Sequence, residues 1–190
     1  MAPAWLREER PDLAVGRILD AADKVFAERG VSAAGMSEIA EQAGCSRGTL
    51  YRYFKNRHEL HVAYVNRQAR SIVARLHAQL AAVDDPMERA VEYTLGAVRE
   101  VRGNPATAAW FAPGASGLAA RMSRTSEIIE TFTTAFVSDL LPPSLEDPEV
   151  RLRARWFVRI VVSLLADPGE SDAEERSVVE RFVAPALQSG

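Results

Sequence analysis

The sequence has very few of the residues that most catalytic and metal sites use. It contains one cysteine, Cys45, and three histidines among 190 residues. A lone cysteine excludes an internal disulfide framework and is typical of a reducing compartment, so we expect the cytoplasm. His58 and His61 stand three positions apart with no third metal ligand beside them in the sequence. We therefore expect both to be exposed side chains, and we predict no metal and no cofactor.

Long apolar runs are also missing. The longest candidate, Ile160–Ala166, is far shorter than the ~20 residues that a membrane-spanning helix needs. Residues 1–11 are charged and lack an apolar stretch, so they do not predict a secretory signal. The sequence therefore predicts no membrane partner. Hydrophobic residues make up 47%, and a chain of this length can bury a large core without disulfides.

The chain has no net positive charge, since its formal charge is −3. The distribution is uneven, however, because residues 43–70 contain six Lys or Arg and one Glu. Such a local excess is typical of a surface that meets phosphate.

Helical periodicity dominates, and strand alternation is almost absent, which predicts an all-α fold of about nine helices. Three Asp-Pro or Asn-Pro pairs, at Asp85, Asn104 and Asp147, place proline just inside a helix start. Heptad spacing predicts one continuous helix from Leu118 to Phe136. Pro185 is expected to distort the final turns of the last helix.

Residues 35–57 predict a helix-turn-helix, with a tight turn at Gly44-Cys45 and a second helix from Ser46 to Phe54. Leu50 and Phe54 lie one turn apart and are expected to face inward. The other side chains should then point largely outward: Arg47, Thr49, Tyr51, Arg52 and Tyr53. Arginines, hydroxyls and aromatic rings suit the major groove of DNA. Lys55 and Arg57 follow at the next helix start, where positive charge and free backbone N–H groups both favour phosphate.

In this region the chain resembles the TetR family of transcriptional regulators. The resemblance rests on four segments in order: Ile18–Gly30 (ILDAADKVFAERG), Ile39–Gly44 (IAEQAG), Ser46–Phe54 (SRGTLYRYF) and Asn56–Leu60 (NRHEL). They cover about 50 of the 190 residues. The other residues match the family only in the number and length of their predicted helices. The resemblance implies a three-helix DNA-binding head over residues 1–58 and a helical ligand-binding and dimerisation domain over residues 59–190.

The resemblance also implies roles for single residues. Arg47, Thr49 and Tyr53 would lie nearest the base edges, and Tyr51 and Arg57 would contact phosphate. Gly35 stands where the family usually has a threonine, so Ser37 is expected to supply that hydroxyl. The predicted DNA-binding residues are Ser37, Ser46, Arg47, Gly48, Thr49, Tyr51, Arg52, Tyr53, Lys55 and Arg57.

An N-terminal arm with Arg7 and Arg10 has two interpretations. It either enters a minor groove or is inert, because Glu8 and Glu9 cancel its charge.

Large side chains of the second part also have two interpretations. Each alone is typical of core packing, whereas together they fit an apolar cavity for the small inducer that the resemblance implies. The candidates are Tyr93, Trp110, Phe111, Met122, Thr125, Phe132 and Trp156. Arg102, Arg121 and Arg124 are either partners of an anionic ligand or surface charges.

The last part of the chain is strongly apolar. Arg155–Asp167 (RWFVRIVVSLLAD) is apolar nearly all round, and a later stripe contains Val179, Phe182, Val183, Ala186 and Leu187. This pattern fits either helices internal to a monomer or a subunit interface. The resemblance implies a homodimer through the last two helices. Two recognition helices ~34–36 Å apart would then bind both halves of a palindrome in double-stranded DNA.

Three classes of function can be compared with these sequence features. An all-α enzyme would need a poised nucleophile, an acid–base pair or a metal cluster, and the sequence offers none of these. A non-specific architectural DNA binder would need more positive charge. We therefore predict a non-enzymatic, homodimeric repressor that a small-molecule ligand releases from its operator.

Overall fold

The computed structural model describes residues 11–141 and 147–188, and every regular element in these ranges is helical. The predicted all-α fold is confirmed. The helices are α1 (Pro11–Arg29), α2 (Met36–Gln42), α3 (Arg47–Tyr53), α4 (Arg57–Leu80), α5 (Pro86–Gly103), α6 (Pro105–Ala108), α7 (Ser116–Thr125), α8 (Glu127–Leu140), α9 (Asp147–Ala166), α10 (Asp172–Val178) and α11 (Ala184–Gln188). No helix in the described ranges is both long enough and apolar enough to span a membrane.

Local signals set the boundaries of the first helices. Gly44 adopts a φ of 66°, a left-handed conformation that glycine adopts without strain, and it turns the chain between α2 and α3. The hydroxyl of Ser46 accepts a hydrogen bond from the Thr49 N–H at 3.0 Å and starts α3. Asn56 accepts from the Glu59 N–H at 2.9 Å and starts α4.

The head core is built by α1, α2, α3 and the first part of α4, and it extends beyond them. Phe26, Leu50 and Leu60 are fully buried in it. Trp110, which follows α6, and Met122 on α7 belong to the same cluster. Helix α6 packs against α1. The boundary predicted at residue 58 therefore runs through a shared core, and the two-domain division stays a prediction.

A second core lies between α4, α5, α8, α9 and the C-terminal helices. A π-helical turn (Val179–Val183) joins α10 to α11 and ends two residues before Pro185. Proline has no backbone N–H and its ring crowds the preceding turn, so the wider π geometry accommodates it. The expected distortion of the last helix is present.

The prediction of one continuous helix from Leu118 to Phe136 is wrong. Ser126 has extended backbone angles and separates α7 from α8. Its hydroxyl accepts from the Ile129 N–H at 3.1 Å and donates to Asn66 Oδ1 at 2.7 Å. Because this cap starts a new helix, the residues of α8 do not continue the face of α7.

Candidate functional site

One side of α3 is fixed in the head core, and the opposite side is exposed. Leu50 is 0% exposed, and Phe54 at the end of α3 is 5% exposed. Arg47, Tyr51 and Arg52 are exposed on the outward side, with Tyr51 at 39%. The short helix thus presents two guanidinium groups and a phenol from a rigid base.

Four other predicted residues are exposed beside this surface. Ser46 and Gly48 lie at the N-terminal end of α3, and Ser37 lies in the first turn of α2. Lys55 follows α3, and its backbone N–H donates to Glu59 Oε2 at 3.0 Å. We call the exposed set Arg47, Tyr51, Arg52 and Lys55 the basic face.

Thr49 and Tyr53 differ from the outward orientation expected of them, because both are half-buried. Tyr53 is three positions after Leu50, which brings its ring against the head core. The Arg52 guanidinium lies 5.3 Å from the centre of that ring, within cation–π range. The Thr49 hydroxyl is 2.9 Å from the Ser46 hydroxyl. Both residues therefore support the helix, and their predicted base contacts stay untested.

The guanidinium of Arg57 turns inward, unlike the predicted phosphate contact. It is half-buried and donates to the carbonyls of Val31 and Ser32, the latter at 3.0 Å. Its Nε also donates to His61 Nε2 at 3.3 Å. Arg57 thus braces the loop between α1 and α2, and a phosphate contact stays a prediction for this residue.

The expectation that His61 is exposed is wrong, whereas His58 is exposed. His61 is 3% exposed and packs edge-on against Phe26 and Trp110, with ring centres 5.5 and 5.0 Å away. Burial, and then the nearby charges of Arg57 and His58, lower the pKa of His61 to about 4. Within the described ranges, no three metal-ligating side chains come together. Arg7 and Arg10 lie outside the described residues.

A cavity of about 170 Å³ lies between α4, α5, α7, α8 and α9. Four of the predicted ligand residues line it: Tyr93, Trp110, Phe111 and Met122. The other three predicted ligand residues, Thr125, Phe132 and Trp156, do not line it. The break at Ser126 explains why Thr125 and Phe132 lie elsewhere. Thr125 is exposed at the end of α7, and Phe132 lies on α8, which does not continue the face of α7. Trp156 packs on the second core while its neighbour Phe157 lines the cavity.

Two side chains of the cavity wall form hydrogen bonds with Asp23 on α1 of the head. The Tyr64 hydroxyl donates to Asp23 Oδ1 at 2.8 Å, and Gln68 Nε2 donates to the same oxygen at 3.0 Å. Tyr64 also stacks on Trp110, with ring centres 5.9 Å apart. This link was not predicted from the sequence. The available signal was a tyrosine and a glutamine one helical turn apart on the otherwise apolar face of α4.

The three arginines considered as anion partners do not line the cavity. Arg102 pairs with the buried carboxylate of Glu175 at 2.7 and 2.8 Å and donates to the Leu164 carbonyl. Its hydrogen bonds lower the pKa of Glu175. Arg121 and Arg124 are exposed. Arg102 is therefore a structural group that ties α5 to the C-terminal helices.

Large apolar side chains are exposed on the last helices. Leu152 on α9 is 55% exposed, Phe182 in the π-helical turn is 67% exposed, and Val178 is 36% exposed. Arg153 on α9 donates to the carbonyls of Ala186 and Leu187 on α11, both at 3.2 Å, and thereby connects α9 to α11. We call Leu152, Val178 and Phe182 the C-terminal apolar surface.

The sequence and the fold both match known transcriptional regulators. The family model described as "Bacterial regulatory proteins, tetR family" matches residues 18–64. An uncharacterised HTH-type transcriptional regulator of Mycobacterium tuberculosis is 43% identical over 184 residues, covering 96% of this chain and 90% of that protein. The HTH-type transcriptional activator FasR of Mycolicibacterium smegmatis is 39% identical over 74 residues, which are 39% of this chain and 34% of FasR.

A solved structure agrees over nearly the whole length. The TetR-family repressor AlkX from a Dietzia strain superposes with a TM-score of 0.68 at 25% identity, covering 91% of this chain and 94% of AlkX. The matched head segment contains the helix-turn-helix and the exposed basic face described above. The chain therefore belongs to the TetR family of helix-turn-helix transcriptional regulators.

Proposed function

We propose that this regulator is a homodimeric, cytoplasmic repressor without catalytic activity. In this proposal α3 of each subunit binds one half of a palindromic operator, and a small molecule in the cavity releases the protein. The observation that carries the proposal is the basic face. Its arginines and tyrosine are exposed on a helix whose other side is locked into the core.

The chemistry of the basic face suits sequence-specific DNA binding. An arginine can donate two hydrogen bonds to a guanine edge, and a phenol can reach a phosphate or a base. Lys55 adds a charge that contacts phosphate without regard to sequence. Arg47 and Arg52 are therefore the proposed specificity residues, and Lys55 is a proposed affinity residue.

The C-terminal apolar surface supports the proposed dimer. A single recognition helix makes few base contacts, whereas two copies can bind a palindrome whose half-sites are separated by ~34–36 Å. Exposed Leu152 and Phe182 would be covered if α9 and the π-helical turn of one subunit packed against the same elements of its partner.

The hydrogen bonds between the cavity wall and α1 support a ligand response. Tyr64 and Gln68 line the cavity and also hold Asp23 in the head. A ligand that displaced either side chain would change the position of α1. The coupling free energy for such a linkage is typically ~1–3 kcal/mol.

The direction of regulation needs its own test, because AlkX is named a repressor and FasR an activator. A repressor is expected to leave its operator when the cavity is filled. An activator would show undiminished or higher operator occupancy under the same conditions.

Footprinting on the DNA upstream of the protein's own gene tests whether the protein protects a palindrome. Fluorescence anisotropy on the protected duplex then measures the binding affinity. Arg47→Ala or Arg52→Ala should each weaken binding about tenfold or more, since a bidentate guanine contact is worth ~1–3 kcal/mol. Arg124→Ala, which removes an exposed arginine on α7, is the matched control and should bind like the wild type. Equal affinity for a scrambled duplex would refute sequence-specific regulation.

A further inference from the structure

The cavity is long rather than round. Tyr64 and Leu76 are its first and last wall residues on α4. A rise of ~1.5 Å per residue places them ~18 Å apart along the helix. On α9 the wall extends from Phe157 to Leu165, which is ~12 Å by the same rise. An apolar cavity of similar size, ~150 Å³, in another protein stays dry and binds benzene. This cavity therefore has room for a narrow apolar molecule.

The described wall residues include no Lys, Arg, Asp, Glu or His. The serine and threonine hydroxyls on the wall donate to nearby main-chain carbonyls, and the Tyr64 hydroxyl donates to Asp23. Thr107 donates to the Val101 carbonyl at 2.7 Å, and Ser123 donates to the Ala119 carbonyl at 2.9 Å. Thr133 makes the same kind of bond at 2.7 Å. Because burying an unpaired charge is costly, the part of a ligand that lies against this wall must be uncharged, and most of it must be apolar.

Tyr93 has a different environment at one end of this wall. It lines both this cavity and a second one of about 230 Å³, whose wall includes His77, Arg89 and Asp139. Its ring is held by stacking on Phe136, with ring centres 3.8 Å apart. In the described part of the chain no group accepts a hydrogen bond from its hydroxyl, and burial raises the pKa of Tyr93 to about 12. The hydroxyl is thus a protonated donor without a partner at the junction of an apolar and a polar space.

We propose that the ligand is an elongated, uncharged amphiphile. Its alkyl-like body lies along α4, and a hydroxyl, ester or ketone at one end accepts a hydrogen bond from the Tyr93 hydroxyl. The inference deepens the ligand response proposed above and rests on it. A negatively charged end group is disfavoured, because Arg89 already donates to the Val83 carbonyl at 2.9 Å and Asp139 adds a negative charge.

The first test uses direct binding of simple probes to the full chain. Hexanol, octanol, decanol and decanoate are titrated at neutral pH, and binding is measured by tryptophan fluorescence and by the midpoint of thermal unfolding. Affinity for the alcohols should rise about fourfold per methylene, the factor that corresponds to ~0.8 kcal/mol per buried CH₂. Decanoate should bind at least about tenfold more weakly than decanol. Affinity that is independent of chain length, or tighter binding of decanoate, would overturn the proposal.

The second test isolates the role of Tyr93. Tyr93→Phe should weaken octanol binding about three- to tenfold, the usual range for one hydrogen bond, and leave octane binding unchanged. Tyr51→Phe, which removes an exposed hydroxyl on α3, should leave the affinity for both probes unchanged. An equal loss for octanol and octane would show that Tyr93 acts through packing and would refute the assigned hydrogen bond.

A third variant blocks the site. Ala97 on α5 lines the cavity, so the larger side chain in Ala97→Leu should occupy part of the space. The affinity for octanol and the affinity for octane should both fall. Ala78→Leu, at an exposed position of α4, is its control. Unchanged binding in Ala97→Leu would place the probes outside this cavity and refute the assignment.

Anisotropy on the operator duplex, with the same protein preparation, separates the two proposals. Selective DNA binding without probe binding would overturn the ligand class and leave the regulator proposal intact. Probe binding with the predicted pattern, but without selective DNA binding, would overturn the regulator proposal and leave the assignment of the cavity intact.

Discussion

His61 is a buried histidine that stays neutral, and this makes stability dependent on pH. Its pKa of about 4 in the folded protein lies below the ordinary value of 6.5. The unfolded chain therefore binds the proton more readily between these two values. The stabilising contribution is complete above about pH 6.5 and is lost as the pH falls towards about 4.

We expect His61 to account for a loss of about 3 kcal/mol in the free energy of unfolding between neutral pH and pH ~4. His61→Gln keeps a hydrogen-bond acceptor for Arg57 but does not titrate, so its stability should fall less steeply over this interval. His77→Gln, at an exposed position on the same helix, should follow the wild-type curve. Urea unfolding at a series of pH values measures both. Parallel curves for the wild type and His61→Gln would contradict the assignment.

Glu175 is a buried charge that depends on its partner, Arg102. Glu175 is 5% exposed, and its carboxylate also accepts from the Gly169 N–H at 2.9 Å. Arg102→Ala should destabilise the protein by about 3 kcal/mol, because an unpaired carboxylate would stay buried; the value is at the low end for such pairs because the Arg102 side chain is itself 32% exposed.

Arg99→Ala is the control for this prediction. Arg99 is on the same helix and pairs with Glu92 at 3.3 Å, but its side chain is 62% exposed. Its removal should cost less than ~0.5 kcal/mol. Denaturant unfolding measures the free energy of unfolding of both variants. Similar losses in Arg102→Ala and Arg99→Ala would show that burial does not determine the strength of these ion pairs.

Single side chains were the part of the site that the sequence predicted least well. The exposure of Arg47, Tyr51 and Arg52 followed from the inward position of Leu50, because helical geometry relates them directly. The inward turn of Arg57 could not be predicted, because its partners are the carbonyls of Val31 and Ser32 in a distant loop. The burial of His61 likewise depends on Trp110, which is far away in the sequence.

Helices whose ends carry local signals were predicted well. Ser46 caps α3 where the sequence predicts the start of that helix, and the helices with proline just inside their starts begin where expected. The break at Ser126 was missed because the apolar spacing continues through it. Its hydroxyl bonds Asn66 on another helix, and one-dimensional periodicity contains no information about that contact.

Ser126→Ala should test the break between α7 and α8. The substitution removes the cap of α8 and the hydrogen bond to Asn66, so we expect a loss of about 1–2 kcal/mol in the free energy of unfolding. Ser138→Ala, at an exposed position within α8, should change stability by less than ~0.5 kcal/mol. If Ser126→Ala were as stable as the wild type, the cap would not be needed to separate the helices.

The C-terminal apolar surface makes a prediction about the assembly. Phe182→Glu combined with Leu152→Glu should convert a dimer into a monomer, because two carboxylates would have to be buried at the interface. Sedimentation equilibrium measures the mass in solution. Leu13→Glu changes a leucine that is equally exposed, at 56%, on α1 and should leave the dimer intact. A monomeric wild type, or a dimer that survives the double substitution, would exclude this interface.

The core that surrounds Phe26 has a consequence for anyone who exchanges parts between members of the family. Phe26 touches Tyr64 and Trp110, and both also line the cavity. A graft of the first 58 residues onto another regulator would place Phe26 against a foreign α4 and α6. A chimera that retains both specificity and inducibility therefore requires α1 to α3, α6 and the first half of α4 to be transferred as one set.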